Sequence, residues 1–147
     1  MSSAASAEIP RPAVGAGPIT ALSLWTGRIL SGIAVLFLAF DAIGKLARPA
    51  AVVEGTTSLG YPESVILPLG LIQVVLLVLY LVPRTSVFGA LLWTGYLGGA
   101  VATHVRLLNP VFTHILFPVY VALLLWGGLW LRDRGLRALL PLRHREI

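Results

Sequence analysis

Four apolar runs, each about the length needed to cross a hydrocarbon layer, constrain this chain more than any other feature. They cover about 21–43, 65–82, 86–103 and 113–131. Roughly 20 apolar residues of helix span a bilayer core, and only elements that satisfy their own backbone polar groups survive there. Pro83-Arg84-Thr85, between the second and third runs, leaves room for nothing but an antiparallel helical hairpin. The predicted fold class is therefore all-α: an integral membrane four-helix bundle, up-down-up-down.

Composition agrees. Of 147 residues, 57% are hydrophobic and only 12% charged, against about 25% charged in soluble domains. So few charges cannot clothe a water-facing surface, and the lipid bilayer is the predicted partner. Lys+Arg outnumber Asp+Glu by 11 to 6, yet nucleic acid is not the expected partner. Arg132, Arg134, Arg137, Arg143 and Arg145 crowd one end, a pattern that anionic headgroups and membrane topology explain. The absence of cysteine excludes thiol redox chemistry, thiolate ligands and covalent haem attachment.

Three segments follow. Residues 1–18, rich in Ser, Ala, Pro and Gly, read as a disordered tail; 19–131 form the transmembrane domain; 132–147 form a basic C-terminal segment. In that last segment Leu136, Leu139, Leu140 and Leu142 alternate with arginines. It reads as an amphipathic stretch on the inner interface, with a solvated charged tail as the competing reading. The first run lacks the flanks of a cleaved leader and is expected to be a retained helix. With the N-terminus inside, Arg11, Arg28, Arg84 and the five C-terminal arginines lie on one side and Lys45, Arg48 and Arg106 on the other. That bias places both termini in the cytoplasm.

Within the runs, small residues four apart are expected to let helix backbones approach: Gly27 and Ser31 in the first, Gly95 and Gly99 in the third. Gln73 is expected to hydrogen-bond between helices. Arg28 reads as snorkelling to the inner headgroups. Asp41 and Lys45, four apart, share a helix face and can pair.

The inferred topology sends further polar groups to the same outer edge. Glu54, Tyr61 and Glu63 follow the first run, His104 and Arg106 end the third, and His114 begins the fourth. Asp41, Lys45, Glu54, Tyr61, Glu63, His104, Arg106 and His114 are thus a candidate ligand-binding cluster over the bundle mouth. Titratable groups above an apolar cavity suit a polar-headed lipid such as a quinone. The competing reading is that helix ends at an interface are polar in every membrane protein. No metal site is expected, because the spacing of His104 and His114 matches no ligand signature. No catalytic constellation is recognisable.

Several motifs together resemble the DoxX-like family of small bacterial membrane proteins. They are Trp25-Thr-Gly-Arg28-Ile-Leu-Ser-Gly, Phe40-Asp41 with Gly44-Lys45-Leu, and Leu59-Gly-Tyr61-Pro-Glu63-Ser. Val82-Pro-Arg84-Thr, Gly95-Tyr-Leu-Gly-Gly-Ala-Val-Ala-Thr-His104-Val-Arg106 and Phe112-Thr-His114 with Phe117-Pro-Val-Tyr120 continue the series. The resemblance extends from Trp25 to Pro141. It implies a four-helix protein of the bacterial cytoplasmic (inner) membrane. The family is named for a subunit linked to thiosulfate:quinone oxidoreductase, and related members are associated with membrane redox and oxidative-stress assemblies. It supplies no agreed catalytic residues.

Three functions from different classes are therefore carried forward. The first is a non-catalytic or accessory subunit binding a quinone-like lipid or a redox partner protein. The second is a quinone-linked oxidoreductase in its own right. The third is a small exporter acting as a homodimer, for which Asp41 is the acid nearest a span. The basic bias argues against an antiparallel pair in that case.

Overall fold

Thr20 opens the first helix, its Oγ1 accepting the Ser23 N–H at 3.2 Å, an N-cap that satisfies one of the otherwise orphaned donors. In this computed structural model, which describes residues 19–139, α1 runs over Ala21–Ala47. At 27 residues it is roughly 40 Å long, about two turns longer than a hydrocarbon core requires. It therefore outlasts the apolar run that ends near Ile43. The Asp41–Lys45 pair supports those last turns, and Lys45 faces the negative end of the helix dipole. Arg48, left-handed at φ 52°, returns its N–H to the Gly44 carbonyl, and Pro49 stops the helix.

The segment after α1 is not simply a loop. Ala50–Ser58 folds as α2, with Pro49 before it and Val52 against Gly44 of α1. A nine-residue helix with one buried face is too short to announce itself by periodicity. Gly60 at φ 85° then reverses the chain, and a 3₁₀ turn at Glu63–Val65 leads into α3, Ile66–Leu81. Thr85 ties the tight turn by donating to the Leu79 carbonyl at 2.8 Å. Helix α4 spans Ser86–Arg106. A π-helical turn at Val111–Ile115 precedes α5, Phe117–Arg132, where Pro118 lacks an N–H and the helical ladder restarts.

Among the described residues there are helices and no strands, and four helical stretches are long and apolar enough to cross a membrane. Both α1 and α4 pack against α3 and α5. Of the basic C-terminal segment, Arg134–Leu139 forms the short helix α6. Its Arg137 folds back to donate to the Trp130 and Leu131 carbonyls, satisfying the open end of α5. Leu136 is buried and Leu139 exposed. The proposed tail 1–18 and residues 140–147 lie outside the described residues.

One end of the bundle is very tightly packed. A Cβ built on Gly27 would lie 2.8 Å from the Gly128 carbonyl oxygen, and one on Gly128 only 2.3 Å from Ser31 Oγ. Tyr80 donates to the Leu125 carbonyl at 2.9 Å, so the Ser31 hydroxyl, also at 2.9 Å, donates to the Tyr80 oxygen. That hydroxyl chain joins α1, α3 and α5. Gly89 lets α4 approach α3 equally closely, since a Cβ there would sit 2.5 Å from the Tyr80 nitrogen. Gly95 and Gly99, by contrast, have no neighbouring atom within 4 Å of a built Cβ. They bring no two helices of this bundle together: among the described residues both face open space.

Gly128→Ala is expected to lower stability by about 1–3 kcal/mol through overpacking. Gly98→Ala, where a Cβ meets nothing within 4 Å, should be neutral or stabilising through helix propensity. Thermal unfolding of the two variants in the same detergent checks the contrast.

Candidate functional site

The last turns of α1 place Asp41 and Lys45 on one face. Lys45 Nζ donates to Asp41 Oδ2 at 2.5 Å, and Gln73 Nε2 of α3 donates to the same oxygen at 2.5 Å. Gln73 thereby makes an interhelical bond, at only 1% exposure. Its Oε1 is buried without a hydrogen-bond partner among the described residues. Both donors use Oδ2, and no hydrogen bond to Oδ1 is present among the described residues. Asp41 remains 38% exposed, so this carboxylate is neutralised on one side and open on the other.

It opens into a cavity of about 480 Å³ between α1, α2, α3 and α4. Val52 and Leu69 give the cavity apolar wall, while Gly95 and Gly99 remove side chains from the α4 wall and create the space. Tyr96 and His104 project from α4 into the same lining. The segment Leu59–Tyr61, crossing from α2 towards α3, adds Leu59 and Tyr61 to the lining. Thr103 donates to the Gly99 carbonyl at 2.9 Å, so Tyr61, 2.7 Å away, donates its hydroxyl proton to Thr103 Oγ1. Arg106 donates to the Leu59 carbonyl at 2.7 Å. Glycine suits position 60, where φ is positive and a Cβ would be strained and lie 3.1 Å from the Arg106 guanidinium.

The eight residues expected to form one cluster therefore separate. Asp41, Lys45, Tyr61 and His104 meet on the cavity. Arg106 clamps the crossing segment and does not line the cavity. Glu63 pairs with Arg48, drawn away by an opposite charge that sequence spacing does not reveal. Glu54 is exposed on α2 and lines neither this cavity nor the adjacent one. His114 lines an adjacent cavity with Asn109, and His104 belongs to both.

The two imidazoles stand edge to face with centroids 5.6 Å apart. Asn109 Nδ2 lies 2.8 Å from His104 Nδ1 and Thr113 Oγ1 lies 2.8 Å from His114 Nδ1. With the Asn109 amide as donor, the His104 ring proton resides on Nε2. Among the described residues no three His, Cys, Asp or Glu side chains converge as metal ligands would.

Tyr96 and Thr103 were not singled out from the sequence as ligand-facing groups. The signal for Tyr96 lies in Gly95-Tyr96-Leu97-Gly98-Gly99, where small residues surround an aromatic with a polar tip. Such glycines read equally well as a helix contact until a neighbour is known to be missing.

A family model described as the DoxX-like family matches residues 29–128. That segment includes every residue of the cavity lining. No curated protein and no solved structure matches the chain.

Arg106→Ala is expected to free the crossing segment. Loss of this one hydrogen bond, worth roughly 1 kcal/mol at an exposed position, should speed amide exchange at Leu59–Tyr61 about fivefold. Exchange in α3 and α5 should not change. Hydrogen–deuterium exchange of the variant against the parent checks it.

Proposed function

The chain belongs to the DoxX-like family and is an integral membrane protein with four apolar helices. From that premise we propose that it is an accessory subunit of a membrane redox system that holds a quinone-like lipid in the cavity between α1 and α4. The observation that carries this reading is the pairing of apolar wall with one-sided polar groups. A volume of about 480 Å³ lies in the range of small-molecule sites.

The donor set fits a flat ring bearing two oxygens. Lys45 and the Nε2–H of His104 supply donors to carbonyl oxygens, and Asp41 Oδ1 supplies an acceptor to a hydroxyl. Tyr96 offers either. Gly95 and Gly99 leave the flat α4 surface that a ring can lie against. A bound quinone would supply two-electron, two-proton redox capacity. The residues on the cavity bind and orient it: His104 donates its Nε2–H, and Asp41, through the open Oδ1, is placed to accept a hydroxyl proton. Electron transfer belongs to a partner protein carrying a redox cofactor, for which no cysteine of this chain competes.

The proposed topology is up-down-up-down in the bacterial cytoplasmic membrane, both termini on the cytoplasmic side and the cavity towards the outside. Contacts between alternate helix ends support it: Ser23 reaches the Leu131 carbonyl, Phe37 meets Phe117 at 5.1 Å, and Trp126 donates to Thr94. The loop bias of Lys and Arg supports the orientation.

Gly99→Leu tests the site without disturbing its hydrogen bonds, because a side chain there enters open space. It is expected to keep or raise the unfolding temperature while weakening binding of a short-chain ubiquinone analogue at least tenfold. His114→Ala should leave binding unchanged. Undiminished binding in Gly99→Leu, read by native mass spectrometry or fluorescence titration, would sink the reading. For topology, single cysteines at Ser2 and Ser58 in this cysteine-free chain should label from opposite sides. Ser58 is expected to react with an impermeant maleimide outside intact cells, and Ser2 only after lysis.

A further inference from the structure

The opposite end of the bundle holds a second concave site, about 370 Å³, between the start of α1, the α3–α4 turn and the junction of α5 with α6. Arg28, Arg132 and Arg134 line it, and Asp133 is its one lining carboxylate. Asp133 Oδ1 is engaged by the Leu136 N–H at 3.0 Å. None of the three guanidiniums forms an ion pair among the described residues. Two are held instead against aromatic faces, Arg28 over Trp25 and Arg132 over Tyr80, each 5.5 Å from the ring centroid.

Arg132 Nε is buried and has no hydrogen-bond partner among the described residues. A buried donor without an acceptor is destabilising, and a charged one more so. Three guanidiniums lining one cavity with no carboxylate paired to them among the described residues suit a phosphate, whose oxygens accept several forked N–H groups at once. Cation–π contacts orient two of the three while leaving their N–H edges available. Leu24 and Leu81 flank the arginines, so an ester with an apolar tail finds both its halves accommodated.

We propose that this cavity binds a phosphate-ester oxyanion, and that the ester is the headgroup of an anionic phospholipid. Arg28, Arg132 and Arg134 grip the phosphate while the acyl chains leave past Leu24 and Leu81 into the bilayer. The site is separate from the cavity of the quinone reading; its three arginines lie outside the matched residues 29–128, whereas Leu81, Pro83 and Ser86 of its lining lie inside them.

The test uses the full chain in detergent, with native mass spectrometry and thermal unfolding as readouts. The probes are phosphatidylglycerol, phosphatidylcholine of the same acyl composition, and glycerol 3-phosphate. Phosphatidylglycerol should be retained and raise the unfolding temperature, with phosphatidylcholine and glycerol 3-phosphate far weaker. Arg28→Gln and Arg132→Gln should each weaken phosphatidylglycerol binding roughly fivefold, and the triple variant with Arg134→Gln should abolish it. Arg84→Gln removes a charge beside the cavity without touching its lining and should change nothing. Helical circular dichroism guards the triple variant, and Arg28→Gln, at an exposed position, carries the test should that variant misfold. Equal stabilisation by glycerol 3-phosphate would uphold the oxyanion site and overturn its lipid source. Equal retention of the two lipids, an equal loss in Arg84→Gln, or no loss in the arginine variants would overturn the proposal.

Discussion

The close contact of α1 with α5 at Gly27 and Gly128 is the constraint on which the rest of the structure depends. Lipid offers helices no hydrophobic reason to associate, so association comes from close backbone approach and interhelical hydrogen bonds. Both are concentrated at this end. The glycines bring two backbones together, and the approach sets Ser31 beside Tyr80, whose hydroxyl reaches on to Leu125. Three helices are joined by two hydrogen bonds inside a core of fully buried side chains such as Leu38, Trp93 and Leu129. With one end joined so tightly, the bundle tolerates a void at the other, where Gly95 and Gly99 face no neighbour.

That void is where the polar groups are least costly and most useful. A carboxylate near the edge of an apolar bundle loses solvation, and a partner cation with further hydrogen bonds must offset it. Asp41 receives both from Lys45 and Gln73, yet through a single oxygen. The remaining oxygen keeps an unfilled acceptor beside apolar wall. The crossing segment, held to α4 by Arg106 and Tyr61, contributes Leu59 and Tyr61 to the lining. Apolar wall, a half-satisfied acid and a tethered wall segment together are what the proposed binding site rests on. The far end of the bundle differs in kind, being cationic and without carboxylates paired to its arginines among the described residues.

Much of this was legible in the chain itself. The four apolar runs correspond to the four membrane-length helices, and Pro83-Arg84-Thr85 lies at the tight turn between α3 and α4. The motifs from Trp25 onwards pointed to the family whose model matches residues 29–128. The site was legible only in part. Asp41 and Lys45 are a local pair, visible from their spacing of four. Glu63 was not separable from them in sequence, because what removes it is Arg48, fifteen residues away. Arg106 looked like a ligand-facing cation, but its guanidinium is consumed by a backbone carbonyl that a left-handed glycine presents to it. Helix α2 escaped notice because nine residues with few apolar positions carry too little periodicity.

What the sequence determined by itself was the class of solution. Uninterrupted apolar runs in a chain with so few charges can satisfy their backbone groups in lipid only as helices, and that argument needs no neighbours. The tertiary structure alone decided what each small or polar residue is for. Gly27 and Gly95 are the same residue, each four positions ahead of another small residue, yet one meets a carbonyl oxygen and the other meets empty space. The difference lies in which helix stands opposite. That is a matter of distance between chain segments remote in sequence, and no local pattern encodes it.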